Sequence, residues 1–283
     1  MLFVVDMANF QGVPNMIRAR DEGGVRAAVL KLTEGTYYTN ELFAAQAAAC
    51  DAAGLPWAVY GYNGNKYAGK DYRESGAAEA GFLLSKPAAF WRDRPIFLDL
   101  EDATGPVPQP DYAIEWEATI LAGGGRFAGI YSYTNFIQNN LQDQRLASRP
   151  LWLANYPNQR PTPTTPWPAA PAPWSTYRFW QFSGGMFVPG IGNVDGNYFD
   201  GTAEEFANLG NVSQPAPTNP DALVARSYLS PEGQPITEIR WGGQMTEILG
   251  TSYVDIGIRG KSAAGDTYHR SILNGQAQEY VKE

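Results

Sequence analysis

Short apolar runs alternate with amphipathic, often alanine-rich stretches along the first 200 or so residues of the chain. Runs rich in Val, Ile, Leu and aromatic residues, bounded by polar and turn-forming residues, predict strands at 2–5, 27–31, 57–62, 95–100, 127–131, 151–154 and 177–182. Between them, helical spacing and end signals predict helices at 41–53, closed by Gly54, and at 74–85. Two more follow at 111–122, ended by three glycines, and at 135–146. Strand and helix taking turns in this way implies parallel strands joined by crossover helices, hence a barrel or a doubly wound sheet. The barrel is favoured, because no Gly-x-Gly-x-x-Gly loop follows the first strand and acids stand at several strand ends. The expected fold class is α/β: a TIM-like, irregular β/α barrel followed by a small β-rich C-terminal domain.

The rhythm changes near residue 210. Residues 157–173 are dense in proline, but a strand-like segment follows them, so they read as a long loop within the barrel. Residues 211–220, NVSQPAPTNP, are polar and proline-containing and read as the true linker. Beyond them the pattern alternates apolar and polar positions, as in ITEIRW and YVDIGIRG. The expected division is a barrel over 1–210, a linker over 211–220 and a small β-rich module over 221–283.

Composition narrows the chemistry. Aromatic residues make up 13% of the chain, with 8 Trp and 16 Tyr, more than a core of this size needs; stacking on sugar faces is one use for the surplus. A net charge of −8 argues against nucleic-acid binding, which calls for clustered Lys and Arg. The one cysteine, Cys50, rules out an intrachain disulfide and reads as a small buried helix residue. The one histidine, His269, lies in the appendage, so neither a Ser-His-Asp triad within the barrel nor a multi-histidine zinc site is available. No metal or other cofactor is expected, and hydrolytic chemistry falls to carboxylates. No apolar run approaches the roughly 20 residues of a membrane span, so no membrane insertion is expected. Residues 2–5 are too short for a signal-peptide core. The expectation is a protein made in the cytoplasm and released by another protein, or a mature secreted form.

The carboxylates that matter most lie in PIFLDLED, residues 95–102. Its strand pattern delivers Asp99 and Glu101 to one face, with Cβ atoms roughly 6 to 7 Å apart. Mutual repulsion is expected to raise one pKa and leave the other low, giving an acid and a base. Such a pair is the equipment for glycosidic bond cleavage.

Three further motifs join it: FVVDMANFQG at 3–12, KLTEGTYYTN at 31–40 and WQFSGGMFVPGIGNVDGNYF at 180–199. GIYSYTNF at 129–136 and LWLANY at 151–156 add support. In order and spacing the set resembles the family 25 glycoside hydrolases, the Chalaropsis-type lysozymes that cut peptidoglycan. The likeness spans about residues 1 to 205 and leaves the appendage outside.

The resemblance implies that Glu101 is the general acid and that Asp99 assists at the sugar carbon. It also implies that Asp6 and Asp195 complete a set of four acids lining one pocket. Tyr62, Tyr131, Trp152, Trp180 and Asn197 are candidate saccharide contacts. The implied activity is N-acetylmuramidase action on peptidoglycan glycan strands, as in a phage endolysin. Two features depart from the family pattern. Met7 and Ala8 replace its usual Val-Ser after Asp6, and Tyr60-Gly61-Tyr62 replaces Tyr-His-Phe, which questions the substrate contacts of that strand. Runner-up readings are an endo-glucosaminidase or chitinase, and an inactive glycan-binding or particle-building barrel. For residues 221–283 the leading expectations are wall binding, or assembly of the chain into a homo-oligomer.

Overall fold

The computed structural model describes residues 1–64, 75–103, 108–157, 161–162 and 165–211, and between 224 and 282 the course of seven strands. By its internal contacts the chain divides into one unit of residues 1–121 and 125–211, and a second of 122–124 and 212–283.

Nine strands make one sheet in the first unit: β1 (Leu2–Met7), β2 (Ala27–Glu34), β3 (Tyr38–Thr39), β4 (Trp57–Tyr62), β5 (Pro95–Asp99), β6 (Arg126–Tyr133), β7 (Leu151–Ala154), β8 (Phe179–Val188) and β9 (Gly192–Phe199). Their order is β1-β9-β8-β7-β6-β5-β4-β2-β3, and β1 also pairs with β2. That pairing closes an eight-stranded barrel, with β3 a short antiparallel extension beside β2. Strands β1, β2 and β4 to β8 run parallel; β9 returns from β8 through a hairpin and pairs antiparallel with both β8 and β1.

The seven strands read from the sequence are all present; β9 is the barrel strand missed, and the two-residue β3 outside the barrel was missed as well. Its Asp195-Gly196 pair looks like a hairpin turn, but Asp195 pairs with Asp6 inside the sheet. The chain reverses instead just before it, over residues 189–191. Gly196 suits the strand because a Cβ there would meet the Met186 sulfur at 2.4 Å and the Phe182 ring at 3.0 Å.

Helices α1 (Met16–Asp21), α2 (Phe43–Ala52), α3 (Gly76–Leu84), α4 (Gln109–Ala122), α5 (Thr134–Asn140) and α6 (Ala203–Ala207) complete the unit. The segment expected as one helix over 135–146 splits into α5 and a 3-10 turn at Gln144–Leu146. Neither α1 nor α6 is long enough to show periodicity, so the sequence pattern gives no sign of them.

Strand alternation builds two cores. Val5, Leu30, Val59, Ile96, Leu98, Ile130 and Leu153 face outward into a layer shared with Phe43, Leu83 and Trp116 of the helices. Val4, Val29, Phe97, Trp152, Phe179 and Phe199 fill the barrel interior. Phe206 of α6 meets Phe199 and Phe179 with ring centroids 5.6 and 6.0 Å apart. It plugs the end of the barrel where β8 begins and β9 finishes, leaving the opposite mouth to the polar residues. Cys50 is buried on α2, where desolvation pushes its thiol up to about 12. Among the described residues no helix is long and apolar enough to cross a membrane.

In the second unit, β10 (Val224–Leu229), β11 (Pro235–Trp241) and β12 (Gln244–Leu249) pair antiparallel in that order. Strands β13 (Val254–Lys261) and β14 (Thr267–Leu273) form another antiparallel pair, and β15 (Gln276–Ala277) and β16 (Val281–Lys282) each pair with β14. His269 falls in β14. Past Asn211, the expected linker lies outside the described residues.

Candidate active site

Asp6, Asp99, Glu101 and Asp195 come together at the open mouth of the barrel, lining one cavity of about 200 Å³. Lys31, Tyr60, Tyr62, Tyr131, Trp152 and Gln181 share its wall, and Phe10 stands at its rim with 86% of its surface exposed. A second cavity of about 570 Å³ adjoins it, lined by Tyr133, Thr134, Asn135, Asn155 and Tyr156. Glu101 and Tyr131 belong to both cavities and mark the boundary between them.

β5 ends at Asp99, yet Glu101 still faces the cavity, because Asn63 extends the strand's geometry for it. The Asn63 backbone N–H donates to the Asp99 carbonyl at 2.9 Å, and its side-chain oxygen accepts from the Glu101 N–H at 2.9 Å. Its amide nitrogen donates to the Asp102 carbonyl at 2.8 Å. Leu100 between the two acids points into the outer core, and its N–H donates to the Tyr131 carbonyl at 3.0 Å.

The two carboxyls act on each other's ionisation: Glu101 helps to hold the Asp99 proton, and Asp99 favours the ionised form of Glu101. The expected split into one high and one low pKa is not what the site produces. Burial raises both, and Asp99, the deeper, is lifted well above the carboxylate range. Asp99 Oδ1 is buried and has no hydrogen-bond partner.

Across the cavity, Asp6 Oδ2 accepts from the Asn197 amide at 2.7 Å and the Gln181 amide at 2.9 Å. Burial nonetheless pushes Asp6 up to about 6. Desolvation, then the Asp6 and Glu101 charges, push Asp195 up to about 8. Among the described residues, Lys31 is the one cation in the wall of this cavity; its ammonium lies 2.6 Å from Glu34 Oε2 and 4.6 Å from the centre of the Tyr62 ring. Among the described residues, no group of three or more His, Cys, Asp or Glu is arranged to hold a metal ion.

Of the expected saccharide contacts, Tyr62, Tyr131 and Trp152 line the cavity. Trp180 does not. One residue on from Phe179, it faces the opposite side of β8, packs on Trp167 and Phe182, and donates to the Asn155 carbonyl at 2.7 Å. It is a residue of the outer core. Asn197 is fully buried, its side chain spent on Asp6, the Val4 carbonyl and the Trp152 indole N–H, which donates to it at 2.8 Å. It orients Asp6 and has no surface left for a sugar. Position 61 also faces away from the cavity: a Cβ there would meet Leu83, Thr33 and Trp116 at 3.0 to 3.3 Å. The missing histidine therefore costs the cavity no contact. Ala8 deprives Asp6 of nothing either, since its side-chain donors come from β8 and β9.

Sequence reasoning missed Asn63, Gln181, Lys31, Phe10 and Tyr156. Gln181 and Lys31 sit inside motifs already singled out, but their types do not announce chemistry. Phe10 lies within FVVDMANFQG and Tyr156 closes LWLANY, while Asn63 stands just past β4, where strand-end polarity is its one signal.

The sequence profile of the glycosyl hydrolases family 25 matches residues 5–191. Lysozyme M1 of Streptomyces globisporus is 25% identical over 221 residues, covering 73% of this chain and 70% of that protein. Among solved structures, a bacterial lysozyme from Streptomyces coelicolor matches with a TM-score of 0.60 and 25% identity, over 74% of this chain and 97% of that one. A muramidase from Acremonium alcalophilum matches with a TM-score of 0.58 and 25% identity, over 75% and 99%.

Proposed function

Because the chain belongs to the glycosyl hydrolases of family 25, we propose that its four-acid cavity holds the muramic acid of a peptidoglycan strand at the bond to be cut. The activity is that of a lysozyme: peptidoglycan hydrolysis at the β-1,4 bond between N-acetylmuramic acid and N-acetylglucosamine. The bacterial cell wall is where it acts.

The roles of the acids follow from their placement. Glu101 faces both cavities, so a glycosidic oxygen bridging two sugars meets it, whereas Asp99 lies deeper. Glu101 donates its proton to that oxygen, and the leaving sugar occupies the cavity of Tyr133 and Tyr156. Asp99 and Glu101 come from one strand end, two residues apart, so Asp99 is read as a neighbour of the acid and not as its opposed partner. Nucleophile and acid stand about 5 to 5.5 Å apart in retaining enzymes, and base and acid about 6.5 to 9.5 Å apart in inverting ones. Neighbouring carboxyls from one strand end are read as meeting neither arrangement.

The observation that carries the reading is the unpartnered, buried Asp99 Oδ1. It is an acceptor awaiting a donor, and the N–H of the sugar's own acetamido group supplies one. With that N–H held, the acetamido oxygen attacks the sugar carbon as the glycosidic bond breaks. Water then opens the cyclic intermediate, losing its proton to Glu101. Asp6 and Asp195 border the sugar from the far wall.

Digestion of purified peptidoglycan, with the products resolved by mass spectrometry, tests activity and linkage together. New reducing ends on N-acetylmuramic acid are expected. Reducing ends on N-acetylglucosamine would give the runner-up glucosaminidase activity instead. Residues 221–283 are assigned to holding the enzyme on the wall, with assembly into a homo-oligomer as the competing role.

A further inference from the structure

Gln181 stands at the centre of a hydrogen-bond junction that the acid roles leave unexplained. Its amide nitrogen donates to Asp6 Oδ2 at 2.9 Å, which fixes which way the amide points. Its oxygen then accepts two tyrosine hydroxyls, Tyr131 at 2.8 Å and Tyr156 at 2.5 Å. Tyr131 also lines both cavities together with Glu101, and its hydroxyl favours the ionised form of that carboxyl. A phenol carries one proton, so Tyr131 can serve Gln181 or Glu101 at any moment, but not both. Tyr156 makes the choice free: when Tyr131 turns away, the buried Gln181 oxygen still has a donor.

We infer that Tyr131, Gln181 and Tyr156 form a hydroxyl switch that gives Glu101 a hydrogen bond as it releases its proton, with Tyr156 freeing Tyr131 to turn. The inference rests on the assignment of Glu101 as the acid. While Glu101 is protonated, Tyr131 donates to Gln181. As the proton passes from Glu101 to the glycosidic oxygen, the carboxyl becomes anionic, and the Tyr131 hydroxyl rotates about its C–O bond to donate to it. No proton leaves Tyr131. A hydrogen bond to an ionised acceptor is roughly twice as strong as one to a neutral group, so the gain appears in the transition state. All three are positioning residues acting on Glu101.

The surroundings leave room for such a device. Asp6 from β1 and Asp195 from β9 face Glu101 with charge that opposes its ionisation, whereas Asp99 from β5, which keeps its own proton longer, favours it. Lys31 from β2 favours ionisation, but its ammonium is shared with Glu34. Among the described residues, Tyr60 and Tyr62 on β4, Tyr133 on β6 and Tyr156 are further titratable groups in the two cavities around it. Tyr131 is, among the described residues, the one whose hydroxyl favours the ionised form of the Glu101 carboxyl.

The test measures kcat and KM on purified peptidoglycan across pH for full-length Tyr131→Phe, Tyr156→Phe and the double variant, with Glu101→Gln as control. Tyr131→Phe should lower kcat about tenfold and move the alkaline limb up by about one pH unit, because the carboxylate has lost its donor. Tyr156→Phe should do the same more weakly. More than half of Tyr156 is exposed, so this variant should fold normally. The double variant should match Tyr131→Phe alone, since both changes act through one hydroxyl. An unmoved alkaline limb in Tyr156→Phe, or effects that add in the double variant, would overturn the switch. If Glu101→Gln is inactive while Tyr156→Phe leaves the limb in place, the switch fails alone. If Glu101→Gln stays active, the assignment of the acid fails with it.

Discussion

Asp6 and Asp195 stand directly opposite each other across antiparallel strands β1 and β9, two carboxyls from the two ends of the barrel sequence set side by side. Burial and the neighbouring negative charge raise Asp195 to about 8, and burial raises Asp6 to about 6. The folded state therefore holds protons that the unfolded chain has released. The stability tied to these groups is fully present below about pH 4, near the unfolded pKa, and is lost as pH rises through about 6 and then about 8.

Asp195→Asn should accordingly stabilise the fold where the native carboxyl is forced to ionise. The melting temperature of the variant should equal that of the parent near pH 4 and exceed it by about 2 °C or more near pH 9. Melting curves at the two pH values check this. An equal difference at both would mean that Asp195 gains as much charge stabilisation in the fold as in water.

On the proposed roles, the Asp99–Glu101 pair should be active while one proton remains on it. The rate should rise and fall with pH as a bell whose two limbs belong to the pair, with the loss on the alkaline side marking its last proton. Because burial raises both groups, that alkaline limb should lie above the pKa of an isolated carboxylate, about 4.3. Glu101→Gln should lower kcat by about 10² to 10⁴-fold or more with saccharide binding retained. Rate profiles from acid to pH 9, with product binding measured on the variant, decide the matter.

Asn63 holds the backbone of Glu101 and Asp102 but does not line the cavity around the four acids. Asn63→Ala should therefore reduce kcat about tenfold to a hundredfold with little change in KM, as expected when an acid is displaced by a fraction of an ångström. Steady-state kinetics on soluble fragments separate the two constants.

Phe10 and Trp180 should respond in opposite ways. Phe10→Ala removes an exposed ring from the cavity rim, so KM should rise about threefold to tenfold with kcat and melting temperature unchanged. Trp180→Ala empties a site in the outer core and should cost about 3 to 5 kcal/mol of stability, while the folded fraction keeps its kcat. Denaturant unfolding and kinetics on both variants make the comparison.

A chain ending after Asn211 should fold and cleave soluble peptidoglycan fragments at close to the full-length rate, since every assigned acid lies in the first unit. Arg126 holds its last turn by donating to the Ala207 and Leu209 carbonyls at 2.6 and 2.9 Å. On intact walls it should be slower, because a second attachment point raises the local concentration of enzyme. Equal rates on intact walls, with no sedimentation of residues 221–283 on cell walls, would favour assembly over wall binding.

The sequence by itself determined the features that repeat at short range. Alternation of apolar runs and helical stretches gave seven barrel strands and the four longest helices, because each needs only its own few residues to reveal its period. The Asp-x-Glu spacing put Asp99 and Glu101 on one face for the same reason. Other features depend on which strand lies beside which. β9 escaped because glycines and an Asp-Gly pair hide its alternation, and only pairing with β1 and β8 makes it a strand. The choice between Trp152, which lines the cavity, and Trp180, which is core, was set by which face of each strand meets the barrel axis. Asn63 and Gln181 gained their roles from partners 38 and 175 residues away. The pKa values followed the same logic: desolvation depends on depth in the assembled barrel, so a pair expected to split into one acid and one base was raised together.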